Sequence, residues 1–466
     1  MSIKPRAAMH ASSPETARLR EKVLEYARER MEFDPAPLDS PQTEEFLRQH
    51  APNTVNENGL GGDEALRVFA EVLAPACLST DHPGYLSFIP TAPTEASTLF
   101  DLVVSASSIY GGSWLEGAGA VYAENQVLAW LASEVGLPET AGGVFVQGGT
   151  LGNLSALVAA RHSARAARAK AGLPQPERWK FVCSAEAHSS LKSAASVMDV
   201  DVVKAEVDEQ GRLVGSAVED ALARAGDGVF AVVATSGTTN FGIVDDLDSV
   251  GHVAKAHDLW FHIDGAYGLA GILAPSTRHL FKGSERADSF IVDPHKWLFA
   301  PFDACALVYR NPELARAAHT QHGDYLDVLT ERDEWNPSDY AYNLTRRVRG
   351  LPLWFSLATH GTKAYSKAVE QNIQLAHQIA DVIRERENLK LVREPQLSVV
   401  VFERIGWNLE DYERWSDKLL ADQIAFVVPS SHQGKPNTRF AIVNPETTLE
   451  LLIQILDSMD DFGGNR

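Results

Sequence analysis

The chain is poor in cysteine, in long apolar stretches and in positive charge. Its three cysteines, Cys77, Cys183 and Cys305, lie far apart without a Cys-x-x-Cys spacing, which argues against a disulfide framework and a zinc site. No apolar run approaches the ~18–20 residues that span a bilayer, and residues 1–16 lack the apolar core of a secretory signal. The net charge of −20 disfavours a nucleic-acid partner, because phosphate binding requires a basic surface. We therefore expect a cytoplasmic protein with no bound metal, no membrane segment and no nucleic-acid partner.

Three regions of the 466 residues differ in pattern, and a chain of this length is expected to form more than one core. Residues 1–93 carry charged amphipathic segments with few apolar positions, so we expect these helices to pack on a second subunit. Residues 94–353 alternate helix-length segments with short apolar runs, which is typical of a mainly parallel sheet covered on both faces. Residues 354–466 combine a long amphipathic helix with short strands and indicate a small α+β domain. The predicted strands are Trp179–Cys183, Val200–Glu206, Val229–Thr235, Leu259–Ile263, Ser289–Val292, Ala304–Tyr309, Ser398–Phe402, Phe426–Val428 and Arg439–Ile442.

A lysine follows one of these buried strands directly. The strand Ser289–Val292 leads into Asp-Pro-His-Lys-Trp, which places Lys296 beside apolar sequence. A buried lysine is costly unless its amine has a task, and burial lowers its pKa, which suits a covalent bond to an aldehyde. We therefore predict that Lys296 attaches a cofactor, in preference to extending into solvent as most lysines do.

An aspartate ends another strand of the same region. Asp264 follows the apolar run Leu259–Ile263, and on its own such a residue is most often a helix cap. Pyridoxal 5′-phosphate (PLP) requires a carboxylate that keeps its pyridine nitrogen protonated, so that the ring can accept electrons. In the company of Lys296, Asp264 is predicted to have that role.

Two further segments suit the rest of the same cofactor. The glycine-rich stretch of residues 142–153 precedes a predicted helix, whose first N–H groups can bind a phosphate together with Gly149 and the Thr150 hydroxyl. The segment Thr235–Thr239 is built from small hydroxylic residues that leave room for a flat ring. Alone, the glycine-rich stretch is a weak signal because glycine-rich helix starts are common, and the segment Thr235–Thr239 is also compatible with an ordinary tight turn.

In this order, the four segments resemble the PLP-dependent group II decarboxylases, which include the aromatic-amino-acid, histidine and glutamate decarboxylases. The resemblance covers about residues 81–349, with a fainter match at Arg439–Pro445. It implies an α/β protein of PLP fold-type I, the aspartate-aminotransferase fold, with a helical N-terminal segment and a small C-terminal domain. It also implies a homodimer with active sites at the subunit interface, and decarboxylation of an L-amino acid to the amine and CO₂.

The resemblance assigns roles to individual residues by position. His188 takes the part of the histidine that stacks on the pyridine ring, and Thr91 that of a residue near the substrate carboxylate. The cofactor side is completed by residues that match phosphate-side or ring-side groups, namely Gly149, Thr150, Thr239 and His295.

A tyrosine on a mobile loop is expected to return a proton to the substrate. The stretch Thr330–Asn343 is rich in charged residues and is predicted to be a lid. Tyr340 is the predicted donor, with Tyr342 as the alternative because this loop is shorter than in the aromatic-acid enzymes.

The predicted substrate pocket is mostly apolar. Phe88 and Tyr110, with neighbouring apolar residues, favour an aromatic or large aliphatic side chain. Gly112 stands where aromatic-acid decarboxylases tend to carry a phenylalanine, and is expected to leave room for a bulky substrate. The alternatives are a decarboxylation-coupled aldehyde synthase, a carbon–carbon lyase and a non-catalytic PLP-fold regulatory protein, although the acidic N-terminal region offers no DNA-binding segment.

Overall fold

The computed structural model describes residues 8–321 and 334–462. The N-terminal region is helical, and its first helix begins with a capping box in which Ser13 and Thr16 bond each other's backbone N–H groups. None of that helix's side chains is buried within the chain. The elements of residues 8–321 are, in order, α1 Pro14–Met31, α2 Glu44–His50, α3 Gly62–Val68, α4 Glu95–Ser107, α5 Trp114–Val135, β1 Gly142–Val146, α6 Gly149–Lys170, β2 Lys180–Ser184, α7 Ser189–Met198, β3 Asp201–Ala205, α8 Gly215–Ala225, β4 Val229–Thr235, α9 Leu247–Ala256, β5 Trp260–Asp264, β6 Ser289–Val292, β7 Cys305–Tyr309 and α10 Pro312–His319.

The second described part forms the C-terminal portion of the fold. Its elements are α11 Leu351–His360, α12 Thr362–Glu385, β8 Leu389–Leu391, β9 Val399–Arg404, α13 Leu409–Ala421, β10 Pro429–His432, β11 Lys435–Ala441 and α14 Leu449–Phe462. Among the residues that the structure describes, no helix is both long and apolar enough to cross a membrane.

The central sheet has seven strands in the order β1-β7-β6-β5-β4-β2-β3. The neighbours from β6 to β3 are parallel, whereas β7 is antiparallel to both β6 and β1. Six strands therefore point the same way, and their carboxyl ends lie along one edge of the sheet. This is the mainly parallel α/β sheet of fold-type I, as the sequence predicts.

Helices cover both faces of this sheet. Along β4, Ala231 and Val233 belong to the core that includes α6 and α7, whereas Val232 and Ala234 belong to the core that includes α5, α8 and α9. Because successive side chains of a strand point to opposite faces, the two cores are built from alternate residues of the same strands.

A second, antiparallel sheet of order β10-β11-β9-β8 belongs to the C-terminal region. The helix α12 joins the two parts, since Tyr365, Val369 and Ile373 pack in the central core and Ala376 and Ile379 pack in the C-terminal core. The predicted strand Phe426–Val428 is wrong. Phe426 makes an isolated bridge with Tyr85, and the strand begins at Pro429. The domain boundaries at residues 93 and 353 remain predictions.

Candidate active site

Functional side chains collect where the parallel strands end. Thr235 ends β4, Asp264 ends β5, and Asp293 follows β6. The loop after β1 enters α6 at Gly149. Carboxyl ends of parallel strands are the usual ligand-binding edge of such a sheet.

Lys296 lies at this edge within a tightly held turn. Its backbone N–H donates to the Asp293 carbonyl at 2.9 Å, and the next residue, Trp297, is buried and donates from Nε1 to Asn372 on α12 at 2.9 Å. The Lys296 side chain is 24% exposed, and its Nζ lies 2.8 Å from Oδ2 of the buried Asp293. Burial lowers the pKa of the Lys296 amine, but the charge and hydrogen bond of Asp293, assisted by Asp264, outweigh burial and raise that pKa.

Asp264 is a buried carboxylate held by two donors. Its Oδ2 accepts a hydrogen bond from Asn153 Nδ2 at 2.9 Å, and its Oδ1 accepts one from the Ala266 N–H at 3.2 Å. The Asp264 segment is joined to the lysine segment, since the Asp293 N–H donates to the Ala266 carbonyl at 2.9 Å and the Asp293 carboxylate contacts the Lys296 amine. The structure thus brings together the two residues that the sequence singles out as lysine and carboxylate of a PLP site.

The start of α6 provides a cradle beside them. A side chain at Gly149 would meet Asp293 Oδ2 at 3.1 Å and Ala266 Cβ at 3.3 Å, so only glycine fits without displacing its neighbours. The first N–H groups of a helix have no acceptor within it, which makes the Gly149–Thr150 backbone suitable for an anion. His295 borders this loop, with its Cε1 3.9 Å from the position of a Cβ on Gly148.

Buried polar atoms at the same edge lack partners among the described residues. They are Thr235 Oγ1, Ser236 Oγ and Asp293 Oδ1. A buried polar group without a hydrogen bond is costly, and three of them together indicate a polar ligand. With the lysine, the carboxylate and the helix start, they fit PLP.

His188 is the N-cap of α7 and is exposed toward this edge. Its Nδ1 accepts from the Ser190 N–H at 3.2 Å and lies 2.9 Å from Ser190 Oγ. The ring is therefore oriented from one side only, and the other nitrogen is available to a ligand.

The predicted substrate-side residues are connected by one arginine that the sequence analysis did not assign. Thr91 is buried and donates from its hydroxyl to the Ala300 carbonyl at 2.9 Å. Arg439 is buried and donates to the carbonyls of Thr239 and Phe88. Burial lowers the pKa of its guanidinium. Both acceptors are neutral, so Arg439 brings a net positive charge to Phe88 and Thr239.

The structure corrects the interpretation of Gly112. A Cβ at that position would lie 2.3 Å from the Tyr110 hydroxyl and 2.7 Å from the Leu344 carbonyl, and that hydroxyl donates to the same carbonyl at 3.0 Å. The space beside Gly112 is filled by the Tyr110 side chain and does not accommodate a substrate.

The structure also corrects the interpretation of the lid, of which residues 330–333 lie outside the described residues. Most of the remainder is packed: residues 336–341 are buried, Tyr340 is 2% exposed, and its ring stacks on Trp335 with centroids 4.1 Å apart. The Tyr340 carbonyl accepts from the buried Tyr309 hydroxyl at 3.0 Å. Tyr342 is 70% exposed. Apolar burial of Trp335 and Tyr340 outweighs the polar composition on which the lid was predicted.

Two residues of the site were missed in the sequence. Asn153 bonds Asp264 from α6, and Arg439 comes from the distant strand β11. The position of Asn153 at the end of the glycine-rich segment, one helical turn from Gly149, is the signal that could have identified it.

Comparisons with known proteins agree with this geometry. The family model described as the pyridoxal-dependent decarboxylase conserved domain matches residues 45–405. An aromatic-L-amino-acid decarboxylase of Bacillus atrophaeus is 30% identical over 435 residues, covering 90% of this chain and 89% of the relative. An L-2,4-diaminobutyrate decarboxylase of Acinetobacter baumannii is 27% identical, covering 86% of this chain and 84% of the relative.

Solved structures show the same fold. The crystal structure of Oryza sativa TDC with PLP and tryptamine superposes with a TM-score of 0.89 and 21% identity, covering 99% of both chains. The glutamate decarboxylase domain of a Vibrio parahaemolyticus protein superposes with a TM-score of 0.82 and 25% identity, covering 97% of this chain and 96% of that one.

Proposed function

Since this chain belongs to the pyridoxal-dependent decarboxylases, and is a PLP-dependent amino-acid decarboxylase, we propose that Lys296 holds the cofactor covalently. The observation that carries this proposal is the Lys296 amine at the sheet edge, 2.8 Å from Asp293, at the same edge as buried polar atoms that have no partner among the described residues. When bound, PLP supplies the electron sink for the bond that is broken at the substrate Cα.

The other groups bind and orient around that amine. Asp264 keeps the pyridine nitrogen protonated, and the Asn153 hydrogen bond orients its carboxylate. The backbone N–H groups of Gly149 and Thr150 bind the phosphate, with His295 beside them. His188 stacks on the ring, and Thr239 lines it. These roles suit the positions of the residues and are proposed together.

The substrate carboxylate is the leaving group, and its orientation decides which bond breaks. The Thr91 hydroxyl donates to the Ala300 carbonyl and can turn to donate to a carboxylate instead, and Arg439 presents a guanidinium next to Phe88 and Thr239. We propose that Arg439 and Thr91 hold the carboxylate at this side of the site. Excluding water there strengthens these interactions.

The substrate side chain is proposed to be aromatic or large and apolar. Phe88 has a positive φ of 52° and is 58% exposed, an unusual conformation for a bulky residue. Its ring lies 6.3 Å from Phe426, which contacts Tyr85 at 5.0 Å. This aromatic surface favours an aromatic substrate through ring contacts. Tyr110 stays a predicted contact.

A panel of L-amino acids tests the reaction and the substrate. CO₂, amine and hydrogen peroxide are measured together, and we expect amine and CO₂ in equal amounts with the highest kcat/KM for an aromatic acid. Peroxide with aldehyde would favour the aldehyde synthase instead. A preference for glutamate would show that Arg439 recognises a side-chain carboxylate, and would overturn the substrate proposal.

We propose that the enzyme is a homodimer. Leu99, Leu102 and Val103 follow one another on one face of α4 and are 43–49% exposed, and α1 buries no side chain. Exposed apolar faces of this kind commonly mark subunit interfaces. Sedimentation should show a dimer, Leu102→Asp should shift it to monomer, and Leu173→Asp, at an exposed leucine between α6 and β2, should not.

The protein is proposed to be cytoplasmic. The thiols of Cys77, Cys183 and Cys305 are all free, which suits a reducing compartment.

A further inference from the structure

A row of polar side chains is buried beneath α6, on the face of the sheet that also carries Asp264. His262 of β5 and Ser289 of β6 are opposite each other in the register of the two strands, and both are fully buried. Asn153 of α6 and Ser190 of α7 are buried above them. Burying so many polar groups is costly unless each finds a partner.

These side chains form one continuous hydrogen-bonded chain. It begins at Trp260 Nε1, 2.8 Å from Ser289 Oγ, which lies 2.8 Å from His262 Nδ1. His262 Nε2 lies 2.9 Å from Asn153 Oδ1. The chain then branches.

The branch point is the Asn153 amide. Its Nδ2 lies 2.9 Å from Asp264 Oδ2 and 3.0 Å from Ser190 Oγ, and Ser190 Oγ is 2.9 Å from His188 Nδ1. One amide therefore contacts both the carboxylate and, through one hydroxyl, the histidine of the site.

The chemistry of the donors fixes the direction of every hydrogen. Asn153 directs Nδ2 at Asp264, so its amide oxygen, which can only accept, receives the hydrogen of His262 Nε2. Nδ1 of the neutral His262 ring is then an acceptor, and Ser289 Oγ donates to it while accepting from Trp260 Nε1. Burial lowers the pKa of His262 to about 3, which keeps the ring neutral, as this arrangement requires.

The same logic continues to the site. With its oxygen bonded to His262, Asn153 must direct both amide hydrogens at Asp264 and Ser190. The Ser190 hydroxyl hydrogen is then free for His188 Nδ1, which also accepts from the Ser190 backbone. His188 therefore presents Nε2–H to the ligand.

We propose that Asn153 and His262 are positioning residues that orient the Asp264 carboxylate from within the core beneath α6. Asn153 holds the Asp264 carboxylate in the orientation that its partner needs, and His262 fixes which way the Asn153 amide faces. This inference rests on the proposed role of Asp264 and extends it to two residues that do not touch the reacting atoms. A hydrogen bond to a charged group is stronger than one between neutral groups.

The test uses Asn153→Leu, which removes both amide donors at similar volume, and His262→Phe, which frees the amide to rotate. His319→Phe is the matched control, because His319 is also buried and bonds α6 at the Ser155 carbonyl without joining the chain. Two readouts are taken: the Kd of the apo-protein for PLP, and the ¹⁵N shift of ¹⁵N-labelled PLP in the holoenzyme, which reports protonation of the pyridine nitrogen.

We expect the wild type and His319→Phe to show a protonated pyridine nitrogen. In Asn153→Leu the signal should move toward the unprotonated position and Kd should rise about tenfold, with a smaller change of the same kind in His262→Phe. If Asn153→Leu does not fold, His262→Phe alone decides. The proposal would be overturned if both variants kept the wild-type ¹⁵N shift and the wild-type Kd for PLP. It would also be overturned if His319→Phe changed these two quantities as much as the variants do. An unprotonated nitrogen in the wild type would instead refute the role of Asp264.

Discussion

The two faces of the central sheet come from alternate residues of the same strands, yet they differ in chemistry. On the face toward α5 and α9, β5 and β6 contribute Ile263, Phe290 and Val292, which are all buried and apolar. On the face toward α6, the same strands contribute the buried His262 and Ser289, and β5 ends at Asp264. The first face stabilises the fold by burying apolar side chains. The face toward α6 buries polar side chains at some of its positions and gains less stability from apolar burial.

The difference shows where this protein places its chemistry. A strand buried on both faces normally reads as a continuous apolar run, so each polar residue in it requires a satisfied partner. Inside the α6 face the partners are present, as the bonds of His262 show. At the carboxyl edge they are missing for Ser236 Oγ and Asp293 Oδ1. Among the described residues, the polar side chains of β5 and β6 are therefore satisfied beneath α6, whereas these two atoms at the carboxyl edge are left open.

Lys296→Ala is expected to have the largest effect, because Lys296 is the proposed attachment point. Borohydride treatment followed by mass spectrometry should find no cofactor adduct, and decarboxylation should be abolished. Lys204→Ala is the control, since Lys204 on β3 bonds the Ser184 carbonyl at the same edge. An adduct that persists at another lysine would refute the assignment.

Phe290→Ala tests the apolar face. Phe290 is fully buried on β6, and its truncation should lower the free energy of unfolding by about 3–5 kcal/mol. Because its side chain points away from the α6 face, PLP affinity of the folded protein should stay close to the wild-type value. Urea denaturation of the apo-protein and a PLP titration measure the two quantities. A loss of affinity as large as the loss of stability would show that the faces are not independent.

Asp293→Asn tests the open edge through the pH dependence of cofactor attachment. The Asp293 carboxylate stabilises the Lys296 ammonium and raises its pKa against burial. Only the neutral amine attacks an aldehyde. Removing the carboxylate leaves burial, which lowers the pKa, so the rise of the attachment rate with pH should occur at least about one pH unit lower.

Stopped-flow mixing of the apo-protein with PLP across a pH series gives that midpoint. Asp288→Asn is the matched control, because Asp288 lies at the opposite end of β6 and bonds the Phe261 N–H at 2.8 Å. An unchanged midpoint in Asp293→Asn would mean that the ion pair does not control the amine.

Much of this architecture could be predicted from the sequence, because the pattern that indicates a strand or its end lies within a few neighbouring residues. The apolar runs of β4 and β6 were located to the residue, and Asp264 and Lys296 were placed at strand ends. The glycine-rich segment was interpreted only as the approach to a helix, and no strand was predicted in it, although it includes the edge strand β1. Glycines weaken a strand signal, and Gly143 is required there because a Cβ would meet the Leu307 carbonyl of β7.

What the sequence could not provide depends on contacts between distant segments. Arg439 reaches the site from β11 through bonds to Thr239 and Phe88. Asn153 becomes significant only when α6 is laid over β5. The glycine at position 112 was interpreted as open space because the sequence does not show that Tyr110 folds back over it.

Tyr340→Phe should have the smallest effect, and it distinguishes the packed segment of the structure from the lid predicted from sequence. The Tyr340 ring is held against Trp335 in the core on the α6 face, and phenylalanine preserves that stacking. We expect turnover and the ratio of amine to CO₂ to match the wild type, with stability reduced by about 0.5–1.5 kcal/mol for the lost hydroxyl. Tyr342→Phe, at an exposed ring, should change neither quantity. Thermal unfolding and product analysis check both variants.

If Tyr340→Phe folds normally but yields less amine and produces peroxide, the segment must open during turnover and deliver this phenol to the substrate. The polar composition of residues 330–343 would then have predicted the working state of the segment, and the packed state would be its resting form.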